Sequence, residues 1–167
     1  MSVLSFSKDC NQNGYYYLSI KVDDVDLGED DYRYLDKLLA VNLLRNPSVE
    51  VAAFSFMTNS LEMILIQHIA GGVESFWNDV FKKFEGYLKS KGSLDADLDK
   101  AASIKNISDE NLLEMSRRIH SLCDDDRNDQ YSSLRAFLYD DVPVWLNKRY
   151  IASQYKSAEK YAELIKS

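Results

Sequence analysis

Between Val73 and Leu88, apolar residues recur at Val73, Phe76, Trp77, Val80, Phe81, Phe84 and Leu88, with the three- and four-residue steps of a single helix face. A strand cannot bury that set, because successive strand residues point to opposite sides. A helix with so broad an aromatic face needs a partner surface of comparable size, and an antiparallel sheet is the natural one. The upstream sequence supplies strands. Tyr16, Leu18, Ile20 and Val22 alternate along one side, Asn13-Gly14 is a hairpin dipeptide, and residues 3–7 alternate apolar with polar. A first hairpin is therefore expected within the first 27 residues. Residues 49–57 and 61–70 are rich in Val, Ile, Phe and Met, and Thr58-Asn59-Ser60 separates them with turn formers, which predicts a second hairpin, with a helix over residues 61–70 as the alternative.

Between the hairpins, Glu29, Asp30 and Asp31 place negative charge at a helix start, and Tyr32, Leu35, Leu39 and Leu43 follow the helical period toward Asn46-Pro47. Gly71-Gly72 reads as a breaker before the aromatic helix, and it lacks the further glycines and the lysine of a phosphate loop. Residues 89–105 read as an exposed connection with a short helix at 95–102. Ser108 then caps a helix running to about Cys123, Leu134 to Leu138 form another, and Pro143 opens a long final helix through Ile151, Tyr155, Ala158 and Ile165. The fold class expected is α+β: a small, mainly antiparallel sheet in ββαββ order, packed by a helical C-terminal half, with residues 1–167 as a single domain.

Charge and chemistry then narrow the function. The formal net charge of −7 argues against direct nucleic-acid binding and for a basic protein partner. Residues 1–31 and 95–129 each carry a net charge of −5, so the negative charge is concentrated in two segments. The first holds Asp23, Asp24, Asp26, Asp30 and Asp31 beside Tyr32 and Tyr34, where rigid aromatic anchors accompany the carboxylates. The second holds Asp124, Asp125, Asp126 and Asp129 in the stretch HSLCDDDRNDQ. That stretch resembles a calcium loop at Asp124, Asp126 and Asn128, but Asp129 stands where glycine is needed and Arg135 where a bidentate glutamate is needed. For zinc, His120 and Cys123 have usable spacing, yet only His68 and Cys10 remain to complete a site. No metal and no cofactor are expected. His120 reads as a surface residue and His68, inside an apolar stretch, as a structural one.

Neither histidine has a nucleophile in a recognisable motif, and the many paired acids sit where solvated charge is ordinary, so the chain is expected not to be an enzyme. Two cysteines give no disulfide framework, no apolar run approaches a membrane span, and no leader is visible, which together suggest a cytoplasmic protein without membrane contact. The resulting expectation is an acidic inhibitor, an immunity protein or antitoxin covering a basic, nuclease-type toxin domain. The alternatives are a phage or mobile-element inhibitor that mimics nucleic acid, an adaptor with oligomer contacts through Trp77 and Trp145, and an unrecognised enzyme.

Overall fold

The computed structural model describes residues 6, 10–93, 97–122 and 131–167. It is an α+β fold built on a four-stranded antiparallel sheet of β1 (Gly14–Lys21), β2 (Val49–Phe56), β3 (Ser60–Gln67) and β4 (Ala102–Ile107), in spatial order β2-β3-β1-β4. The helices are α1 (Glu29–Arg45), α2 (Gly72–Phe76), α3 (Lys82–Ser90), α4 (Leu98–Ala101), α5 (Leu112–Ser121), α6 (Leu134–Tyr139), α7 (Arg149–Ala152) and α8 (Ala158–Lys166).

The second hairpin, β2 and β3, forms as expected. The first does not form as read, because β1 takes β3 and β4 as its neighbours and Phe6 lies in a helical turn; residues 3–5 and 7 fall outside the described residues. β4 arises from the stretch read as an exposed connection. Its alternation is thin, with only Ala102 and Ile104 fully buried, but pairing along β1 from Ala102 to Ile107 satisfies its backbone on one side.

Alternation gives the sheet two unlike faces. Leu18 and Ile20, Leu61 and Met63, Phe54 and Phe56, and Ile104 share one face through cross-strand pairing, and all are buried. Tyr32 of α1 stacks on Phe56 at 6.4 Å, which seats α1 on this side. The aromatic helix joins it: α2 and α3 run on through a π turn at Trp77–Phe81, and all seven residues of the apolar series are at most 1% exposed. The π turn rotates the helix enough for Trp77 and Phe81 to stack at 5.0 Å. The approach of this helix to the sheet requires Gly72, where a Cβ would lie 2.9 Å from the Ser48 carbonyl oxygen.

The C-terminal part departs from the long helix expected after Pro143. Asp140 turns left-handed and ends α6, residues 144–145 form a turn in which the Leu146 N–H donates to the Pro143 carbonyl, and Leu146 bridges to Val51, as Ser132 before α6 bridges to Ser55, on the edge of β2. There the Asn147 N–H donates to the Val51 carbonyl at 2.9 Å, and the Ser133 N–H to that of Phe54 at 2.9 Å. The exposed edge of β2 is thereby covered, and edge pairing outcompetes helix formation. Helix resumes as α7 and, after the Ser157 cap that accepts the Lys160 N–H, as α8. No helix among the described residues is long and apolar enough to cross a membrane.

Candidate functional site

The second face of the sheet is polar over much of its area. One cross-strand row reads Ser55, Glu62, Ser19 and Ser103 across all four strands, with Lys21 opposite Ser60 on one side of it and Tyr17 opposite Lys105 on the other. Tyr17 donates its hydroxyl to Glu62 Oε2 at 2.6 Å. Burial, and next the hydrogen bond to Glu62, push the Tyr17 hydroxyl above its ordinary range, so it remains a donor. Arg118 of α5 acts on Tyr17 electrostatically, which places α5 beside this row. Glu62 is buried, whereas Lys21, Lys105 and Arg118 are exposed and form no ion pair among the described residues. Around this row the solvent-facing charge is cationic, on an acidic chain.

At the other end of the same face lies a second group, centred on Glu50. Its Oε2 is 2.6 Å from His68 Nε2 and accepts from the Tyr150 hydroxyl at 3.0 Å, while Oε1 accepts from Asn147 Nδ2 at 2.7 Å. Burial raises the Glu50 carboxyl, but the hydrogen bonds from Asn147, His68 and Tyr150 outweigh it and hold the group below its ordinary value. Tyr15 meets Tyr150 edge-on at 6.2 Å. His68, read as structural, is in fact exposed and bonded to Glu50 just past the end of β3.

His120, read as a surface residue, is wholly buried. Its Nδ1 is 2.6 Å from the Tyr161 hydroxyl and its Nε2 is 2.6 Å from Ser133 Oγ, which in turn accepts from the Phe54 N–H at 2.8 Å. Ser116 completes the chain on Tyr161. This network ties α5 and α8 to β2. Its signal in the sequence is the spacing of Leu112, Ser116, Ile119 and His120, which puts them on one helix face.

The acidic residues singled out from sequence divide. Asp23, Asp24, Asp26 and Asp30 are exposed, but Asp31 is buried, where its carboxylate accepts the Gly28 N–H at 2.8 Å and pairs with Lys91. Despite burial, those two hydrogen bonds hold it below the usual carboxylate range. Tyr32 is buried against Tyr131 at 4.2 Å, and Tyr34 stacks on Tyr87 at 4.0 Å. Asp124, Asp125, Asp126, Asp129 and Cys123 lie outside the described residues. Among the described residues, no three His, Cys, Asp or Glu side chains gather in a way that could hold a metal ion.

No family model matches the sequence, and no curated protein matches it. A solved structure does match in fold: a REP-associated tyrosine transposase bound to a REP hairpin, with a TM-score of 0.59 and 13% identity, over 81% of this chain and 86% of that one. The chain is similar in fold to a transposase. This likeness corrects the functional expectation on several counts. The fold shared is that of an enzyme solved with a hairpin, which overturns the immunity protein or antitoxin, the nucleic-acid mimic, the assignment as no enzyme, and the exclusion of nucleic acid in favour of a basic toxin domain. The net charge misled because −7 is a sum over the whole surface, while binding depends on where the cations stand.

Proposed function

We propose that this protein binds a nucleic-acid hairpin across the polar face of its sheet. The observation that carries the reading is the fold likeness to a hairpin-bound transposase over 81% of the chain. Lys21, Lys105 and Arg118 support it, since they are exposed on that face and free of ion pairs among the described residues. Phosphate contacts by these three set register and affinity, while the exposed Ser103 and the half-buried Ser60 supply neutral hydrogen-bonding groups beside them. A cytoplasmic location is in keeping with such a partner.

Titration of a labelled hairpin oligonucleotide tests the reading. The Lys105→Glu/Arg118→Glu variant should bind at least tenfold more weakly, and the logarithm of affinity against that of salt should have a slope of roughly −2 to −3 for about three phosphate contacts. Equal binding by variant and parent, with the fold intact, sinks the assignment to this face.

A second reading adds strand chemistry at the other end. Tyr150 carries a nucleophilic oxygen already donating to Glu50 Oε2, the carboxylate oxygen that also meets His68 Nε2. In such a step the Tyr150 oxygen attacks a backbone phosphorus, Glu50 takes the phenolic proton, and the leaving strand departs with a hydroxyl protonated from water. Burial, and then Glu50, raise the Tyr150 hydroxyl above its ordinary value, so proton transfer to Glu50 must accompany attack. A covalent protein–oligonucleotide adduct that is lost in Tyr150→Phe tests it; an adduct retained in that variant rejects Tyr150 as the nucleophile.

A further inference from the structure

Where the chain passes from the covered edge of β2 into α7, Asn147 stands between two opposite charges. Its Nδ2 donates to Glu50 Oε1 at 2.7 Å, and its Oδ1 accepts from the Arg149 backbone N–H and from Arg149 Nε, each at 3.2 Å. The partners fix which way the amide points, since a carboxylate only accepts and a guanidinium only donates. An arginine one side chain away from a glutamate ordinarily closes a two-pronged ion pair with it, and here the interposed amide keeps them apart. Glu50 thus stays open to a proton. Arg149 is exposed, forms no ion pair among the described residues, and has both Nη groups unengaged among them. The neighbouring Lys148 is instead committed, to Asp140 and to the Ala136 carbonyl. Glu50, Asn147 and Arg149 line one groove of about 460 Å³, which gives a strand room beside them. Burial and Glu50 raise the Tyr150 hydroxyl, whereas Arg149 lowers it, so the guanidinium charge reaches that oxygen.

We propose that Arg149 receives the phosphate that Tyr150 attacks, its two Nη groups binding the non-bridging oxygens, and that Asn147 is the positioning residue that holds the guanidinium for this. The inference rests on the reading of Tyr150 as the nucleophile and adds the group that binds the reacting phosphate. The movement of charge in the step explains the need. The bond from the Tyr150 oxygen to phosphorus forms, the bond from phosphorus to the leaving strand's oxygen breaks, the phenolic proton passes to Glu50, and the leaving oxygen takes a proton from water. As Glu50 becomes neutral, its negative charge reappears on the phosphoryl oxygens, which gain a second charge in the transition state. A cation already fixed beside those oxygens, with no counter-ion to shed, stabilises that redistribution. Arginine suits the place better than lysine, because its planar fork matches two phosphoryl oxygens at once. A solvated cation that merely met any phosphate of the strand would change affinity and not the rate of the step.

The test uses one probe, a hairpin oligonucleotide with single-stranded flanks, and follows the covalent adduct in single turnovers as the probe concentration is raised. Arg149→Gln, an exposed change, should lower the limiting rate about a hundredfold and alter the half-saturating concentration by less than about threefold. Arg149→Lys should recover only part of the loss. Guanidinium ion at millimolar concentration should restore part of the rate to Arg149→Ala but not to Asn147→Ala/Arg149→Ala, a readout that a merely structural Asn147 would not produce. Mapping the adduct locates the reacting phosphate, and a neutral methylphosphonate placed there should slow the parent far more than it slows Arg149→Gln. An adduct absent in Tyr150→Phe yet formed at the parental rate by Arg149→Gln overturns the inference and leaves Tyr150 standing, as does a defect confined to half-saturation. Equal guanidinium rescue with and without the Asn147 amide overturns its positioning role. An adduct retained in Tyr150→Phe, or none in the parent, removes the nucleophile and the inference with it.

Discussion

At His120, burial pushes the imidazole from 6.5 down to about 3, and both ring nitrogens are committed to neutral hydroxyl partners. The sign of the consequence follows from where the proton goes. Between those two values the unfolded chain binds a proton that the native state refuses, so stability falls as pH falls through that window. By pH 4 the loss should be on the order of 3 kcal/mol, and His120→Gln should flatten it, at some cost to the network. Denaturant midpoints at pH 7, 5.5 and 4 measure this; parallel decline in parent and variant would assign the acid sensitivity elsewhere. Carboxylates held low, such as Asp31 by Gly28 and Lys91, act at the other end of the scale: their stabilisation is present above 3.8 and is lost only as pH drops through their lowered values. The two histidines also show what residue type and neighbours in sequence leave open. His68 follows apolar residues but stands one position past β3, where the chain leaves the sheet, while His120 precedes a run of aspartates yet falls on the buried face of α5.

Among the elements, the helix of Phe76, Trp77 and Phe81 was legible because its apolar spacing admits one solution, and the structure buries every member. Phe81→Ala should cost about 3 to 5 kcal/mol, since the ring is wholly buried and stacked on Trp77. A loss below about 1 kcal/mol in urea unfolding would contradict this packing. The polar face was illegible for a definite reason. Ser19 and Lys21 alternate with Leu18 and Ile20, but on β3 the polar pair Ser60 and Glu62 is continued on the same face by Ile64 and Ile66. There α5 packs against β2 and β3, so one face is half apolar and half polar, and the alternation that marks an open face disappears from the sequence. The final helix was misjudged because covering the β2 edge with Leu146 and Asn147 satisfies backbone groups that no periodicity reveals.

On the scale of the whole molecule, the order β2-β3-β1-β4 brings β4, the last strand in sequence, onto β1, the first, so that the sheet cannot be completed until more than half the chain is in place. The C-terminal helices are joined to the same sheet by buried polar bonds: Tyr161 of α8 to His120 of α5, His120 to Ser133, and Ser133 to the backbone of Phe54 in β2. Trp145 adds a bond to Asp36 of α1 from the segment that covers the β2 edge. Each of these joins residues more than a dozen apart, and breaking one leaves a buried group without its partner. We propose on this basis that the chain behaves as a single domain. Thermal unfolding followed by far-ultraviolet dichroism, by tyrosine and tryptophan signals, and by calorimetry should then give one coincident transition. Tyr161→Phe keeps the ring and removes the hydroxyl that His120 and Ser116 share, so it should lower the midpoint of that one transition without splitting it. Two transitions in the parent, or a C-terminal signal that melts early in the variant while the sheet persists, would mean that α5 to α8 form a unit of their own and that the network is a contact between two bodies.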